Sequence, residues 1–155
     1  MNQICTALSQ LIKSAGDDFV NDLKGLTDDQ QTSSPMGSAR PAADFAYEVA
    51  YVNRRVATRL RGETPGPWPF ESWVTAPDDK KSQAALIEEI ESSIQEVTTA
   101  LAALSDADLM QPIKMGEEES NLYKLASMCL IHTCYHDGQL NYIQSLHGDM
   151  EIHWV

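Results

Sequence analysis

The sequence predicts an all-α protein: a four-helix bundle with a long aromatic and proline-rich crossover between its second and third helices. Two observations predict it. Apolar residues recur at steps of three and four in four separate stretches, while no segment shows a convincing strand alternation. The run from Gly62 to Pro77 carries too many prolines to be helix or central strand, so it must connect elements. The length of 155 residues suits one domain, residues 1–155, with a core that needs no disulfide or metal staple. Any metal would then serve function.

Residues 2 to about 26 read as the first helix, with Ile4, Leu8, Leu11, Ile12, Phe19 and Leu23 at mostly helical spacing and Gly25 near its end. Thr27 to Arg40 is polar and rich in breakers, and is expected to be a mobile connection across one end of the bundle. Pro41 suits a first helical turn, and Phe45, Val49, Val52, Val56 and Leu60 then form the apolar stripe of a second helix that stops at Gly62. In the crossover, Trp68, Phe70 and Trp73 need something to pack on, which leaves two readings: a cover over the hydrophobic end of the bundle, or a lid over a functional site.

From about Asp79 to Leu104 the chain reads as the third helix, on the apolar seam Ile87, Ile90, Ile94, Val97, Leu101 and Leu104. The segment from Ser105 to Ser120 is expected to be a loop with at most one short turn, Ser120 capping the next helix. That fourth helix spans 122–146, and its seam runs Leu122, Leu125, Cys129, His132, His136, Gln139, Ile143 and Leu146. His147-Gly148-Asp149 ends it, and a tail from Met150 to Val155 follows.

The fourth seam is apolar at both ends and polar in the middle. His132 and His136 stand one turn apart on one face, so two imidazole nitrogens can reach one divalent metal. An unpaired polar group in a bundle interior costs about 1–3 kcal/mol, which argues that two histidines there have a task. Thr133 follows His132, so the glutamate of a zinc-protease HExxH motif is missing. Glu48 lies at the edge of the second stripe, three residues after Phe45 and four before Val52. It is either a third, anionic ligand or a boundary carboxylate that reaches solvent or pairs with Arg55. Two imidazoles and a carboxylate leave open coordination positions, as a catalytic site requires; zinc or nickel comes first, and iron or manganese also suits a carboxylate.

Cys129 is one turn before His132; its thiol is either a further donor or, as buried cysteines more often are, core packing. Asn53 and Gln139 are candidates to orient a ligand through hydrogen bonds, and Tyr135, Trp68 and Trp73 to rim a pocket. Asp137 and Cys134 point off the seam, and His147 and His153 follow the helix end.

The formal net charge of −12 repels phosphate backbones and anionic lipid, so neither nucleic acid nor membrane is expected as a partner. Arg54, Arg55, Arg59 and Arg61 read as salt links to the acidic surface. Three cysteines without a CxxC pair, and a start without a signal-like apolar run, predict reduced thiols in a cytoplasm.

The run His132-Thr-Cys-Tyr-His136-Asp-Gly-Gln139-Leu-Asn-Tyr-Ile followed by Gly148, with Glu48-Val-Ala-Tyr-Val-Asn-Arg-Arg-Val-Ala-Thr-Arg-Leu-Arg-Gly62, resembles the DinB/YfiT-like superfamily of metal-dependent enzymes. The resemblance covers the chain in helix order, and these two segments are its specific part. It implies an up-down-down-up bundle and a metal held by three histidines, of which the one on the second helix falls on Glu48 here. It further implies chemistry on a small-molecule substrate, hydrolytic or thiol-transferring with a thiol cofactor, and a homodimer. The glutamate gives either a two-histidine, one-glutamate site or a non-enzymatic bundle protein, dimeric or ligand-binding, whose site is a relic.

Overall fold

A computed structural model describes residues 2–115 and 117–153, so Trp154 and Val155 of the expected tail lie outside the described residues. The chain is mostly helical. Helix α1, Gln3–Lys24, buries Cys5, Leu8, Ile12, Ala15, Phe19 and Leu23, a stripe stepping by three or four residues. Ile4 and Leu11, counted in the expected stripe, are 40% and 54% exposed, because each lies a residue off that repeat.

The segment after α1, expected as a connection across one end of the bundle, begins with a short helix of its own. Thr27 and Gln30 form a capping box that starts a short helix, α2, Asp28–Thr32. The buried Gln31 side chain donates to the Lys81 carbonyl (3.1 Å), and Asp28 Oδ1 accepts from the Gln83 amide (2.8 Å). Helix α3 follows as Ala42–Leu60, and Gly62, at φ +78°, takes the left-handed conformation that a side chain would strain. A 3-10 turn at Asp78–Lys80 leads into α4, Gln83–Ala102, capped by Ser82.

The stretch read as a loop holds more structure than its sequence shows. A Ser105 and Asp108 capping box starts α5, Asp106–Leu109. Strands β1, Pro112–Met115, and β2, Glu118–Asn121, then pair antiparallel with Ile113 opposite Ser120. Four residues per strand with no buried face carry too little alternation to be read. Ser120 is thereby spent in β2, and Asn121 caps α6, Leu122–Leu146, its side chain accepting from the Lys124 amide at 2.8 Å.

Helix α1 packs against α4 and α6, and α3 packs against the same two. Phe19, Leu23, Val49, Leu86, Ile90, Leu101 and Leu140 are essentially inaccessible between them. Each such side chain stabilises the fold by roughly 1.5–3 kcal/mol. The α6 seam drifts along its length. Leu125, Cys129, His136, Leu140, Ile143 and Gln144 are buried, whereas Leu146 is 42% exposed. A strict three-four repeat averages 3.5 residues per turn against the helix's 3.6, so the buried face rotates by about 20° per seven residues.

The crossover is fastened to the outside of α3. Arg55 donates to the Gly66 carbonyl (2.8 Å) and lies over Trp68, which packs edge-on against Tyr51 and Phe70. Arg54 pairs with Glu89 and Glu96 on α4, as its salt-link reading expects. None of the described helices is long and apolar enough to cross a membrane.

Candidate metal centre

Glu48 and the two histidines meet where α3 crosses the middle of α6. Their donor atoms all lie within 4.8 Å of one another. His132 Nε2 is 3.1 Å from His136 Nε2 and 3.8 Å from Glu48 Oε1. For comparison, two nitrogens bound at 2.0–2.1 Å in a tetrahedral shell stand about 3.3 Å apart.

The surroundings fix which atoms face inward. Gln139 Nε2 donates to Tyr135 Oη (3.3 Å), which turns Gln139 Oε1 towards His136 Nδ1 at 2.7 Å. His136 therefore donates from Nδ1 and carries its lone pair on Nε2, towards His132 and Glu48. Phe45 stacks on the His136 ring at 5.3 Å and nearly parallel, closing that face to water. Burial, aided by the neighbouring His132, pulls the His136 pKa down to about 4, against the opposing pull of Gln139 and Glu48, so the ring is neutral and fit to ligate. Burial works to raise Glu48, but its bonds with His132 and Arg40 outweigh this and hold it at about 2, an anion at neutral pH. His132 Nδ1 is buried with no hydrogen-bond partner among the described residues. If Nε2 keeps the proton to bond His136, that orphan Nδ1 must be a bare lone pair; if Nδ1 keeps it, two lone pairs and a carboxylate face one another. A cation between them relieves the second arrangement. The residues fit a divalent ion.

Arg40 is the part of the site that sequence reasoning missed. Its Nη2 contacts Glu48 Oε2 at 2.6 Å and donates to the Val74 carbonyl at 2.9 Å, and the guanidinium lies over Trp73 at 5.1 Å. Arg40, not Arg55, is thus the cation beside Glu48. Eight residues along a helix span about 12 Å, and nothing in the spacing says that an arginine preceding Pro41 reaches down to Glu48.

Of the other residues singled out, Gln139 and Tyr135 are in contact with His136. Trp73 meets the site through Arg40 and is itself 67% exposed. Three stand elsewhere. Asn53 is buried at the α3–α4 contact, donating to Ser93 Oγ at 3.2 Å, because it lies on the side of α3 that faces α4. Cys129 is wholly buried among core side chains, and burial pushes its thiol up to about 12. Trp68 is taken up by Tyr51, Phe70 and Arg55 on the outer face of α3.

No curated protein sequence matches the chain. Among solved structures, the crystal structure of a conserved protein from Enterococcus faecalis superposes with a TM-score of 0.73 at 14% identity, covering 91% of this chain and 95% of that one, which speaks to fold alone. The family model described as the DinB superfamily matches residues 11–140.

Proposed function

Since the chain belongs to the DinB superfamily, we propose that it is a metal-dependent enzyme in which Glu48, His132 and His136 hold one divalent ion and act on a small molecule. One observation carries this reading: three donor atoms converge within 4.8 Å, and the His136 lone pair is aimed among them by Gln139. Two imidazoles and a carboxylate suit zinc or nickel first and iron or manganese next. A bound ion with open positions supplies Lewis acidity, lowering the pKa of a coordinated water or thiol, which places the reaction in the hydrolase or thiol S-transferase class. Gln139 holds the His136 tautomer, Arg40 keeps the Glu48 carboxylate ionised and oriented, and Phe45 keeps water off the His136 ring.

The Arg40–Glu48 contact also supports a second reading, a non-enzymatic bundle protein whose cluster is neutralised by Arg40 instead of a metal. Metal affinity of Glu48→Gln separates the two. The first reading expects a loss of about tenfold or more, since an anionic ligand is replaced by a neutral amide; unchanged affinity overturns it. The pairwise packing of α1, α3, α4 and α6 supports an up-down-down-up four-helix bundle formed by one domain. Three free cysteines support a reducing, cytoplasmic setting. The exposed Met128, Ile131 and Tyr135 on α6 support a homodimer.

A further inference from the structure

Beside the three donors, though not lined by them, a cavity of about 470 Å³ opens between the start of α3, the 35–39 segment and the C-terminal half of α6. Its volume lies within the range of small-molecule sites. Met36, Phe45, Tyr142 and Leu146 give it apolar walls, and Arg40 and Gln139 are polar members of its lining. Met36, Tyr142 and Leu146 are 61%, 60% and 42% exposed, so large apolar side chains are left in water around one concavity.

Arg40 brings a cation to this lining. Its Nε is buried and has no hydrogen-bond partner among the described residues, although a buried guanidinium donor ordinarily finds an acceptor. The counter-charge of Arg40 is Glu48, the same carboxylate that faces the histidines. A divalent ion on Glu48 would leave this cluster net positive and in want of an anion. The cavity is also mechanically joined to the donors, because Arg40 touches Glu48, while Gln139 and Phe45 touch His136.

We propose that this cavity binds an amphipathic carboxylate, an aromatic or medium-chain acid whose apolar body lies against Met36, Phe45, Tyr142 and Leu146 and whose carboxylate is held by Arg40, and that such acids are the substrate class of the adjoining site. The reaction rests on the metal-dependent reading above; the binding does not, since Arg40 is present with or without metal.

The test is calorimetric titration of 4-phenylbutyrate into chelator-treated protein, with the neutral isostere 4-phenylbutanol as comparison. The acid should bind saturably and about tenfold or more tighter than the alcohol, because a charge-assisted bond is lost with the carboxylate. Arg40→Met should remove that preference. Gly138→Leu tests the cavity without endangering the fold: Gly138 lines it, a Cβ there meets nothing within 4 Å, and leucine favours a helix more than glycine does. Binding should be lost in this variant. Failure of the wild type to bind the acid, equal binding of acid and alcohol, or undiminished binding by Gly138→Leu would each overturn the proposal. Zinc uptake without acid binding overturns this inference and leaves the metal reading standing. Acid binding by a protein that takes up no zinc, nickel, iron or manganese supports the cavity assignment and overturns the metal reading.

Discussion

Replacing Gln139 by leucine isolates the contribution of one hydrogen bond to the candidate centre. Leucine keeps most of the side-chain volume but cannot accept from His136 Nδ1, now 2.7 Å from Gln139 Oε1. His136 is only 3% exposed, so water cannot readily replace the lost acceptor. The buried N–H is then unpaired when Nε2 ligates, at a cost of about 1–3 kcal/mol. That agrees with the 10–100-fold loss of affinity usual when a partner that orients a ligating histidine is removed, equivalent to about 1.4–2.8 kcal/mol. Proton competition cannot be the source of the loss. Gln139 raises the His136 pKa, so its removal lowers it further and leaves the imidazole neutral across the working range. The assay is zinc affinity by competition with a chromophoric chelator, with near-ultraviolet circular dichroism to verify packing. Zinc affinity equal to wild type in a folded Gln139→Leu protein would refute the role given to Gln139. Gln139→Glu, which retains the acceptor, should retain the affinity.

Further expectations concern stability. Burial, with the charges of Asp22 and Asp18, raises the Asp137 carboxyl to about 7 from 3.8, so between those values the folded chain binds a proton that the unfolded chain releases. Stability should therefore fall as pH rises through that window, and Asp137→Asn should flatten the fall; identical pH slopes in urea denaturation would contradict this. Leu86 is completely buried on α4, and Leu86→Ala should cost about 2–5 kcal/mol in chemical denaturation. Asn121→Ala removes the cap of the helix that carries both histidines, and should cost about 0.5–2 kcal/mol without altering zinc affinity.

The four long helices and three donors were legible because they rest on local periodicity. His132 and His136 lie on one face by virtue of a four-residue step, and Glu48 borders a stripe that Phe45 and Val52 define. What could not be read depends on contacts between distant segments. The Arg40–Glu48 pair requires the chain's path into α3, and the Gln31–Lys81 bond requires α2 to lie against the start of α4. Asp22, wholly buried in α1, accepts from Asn141 Nδ2 at 2.5 Å, and its carbonyl accepts from Gln144 across the α1–α6 contact. A polar stripe position in the sequence gives no sign of such a partner more than a hundred residues away. Leu146 shows the limit of the pattern itself, since a fixed three-four step holds a face for two or three turns and then rotates off it.

Metal content tests the central claim most directly. Protein purified without a histidine tag or chelator should carry near one divalent ion per chain by elemental analysis, and His132→Ala should lose it while keeping its helical circular dichroism. A wild-type protein that holds no ion, and takes up none when zinc, nickel, iron or manganese is supplied, would contradict the claim and leave the Arg40–Glu48 ion pair as the site's resting charge balance.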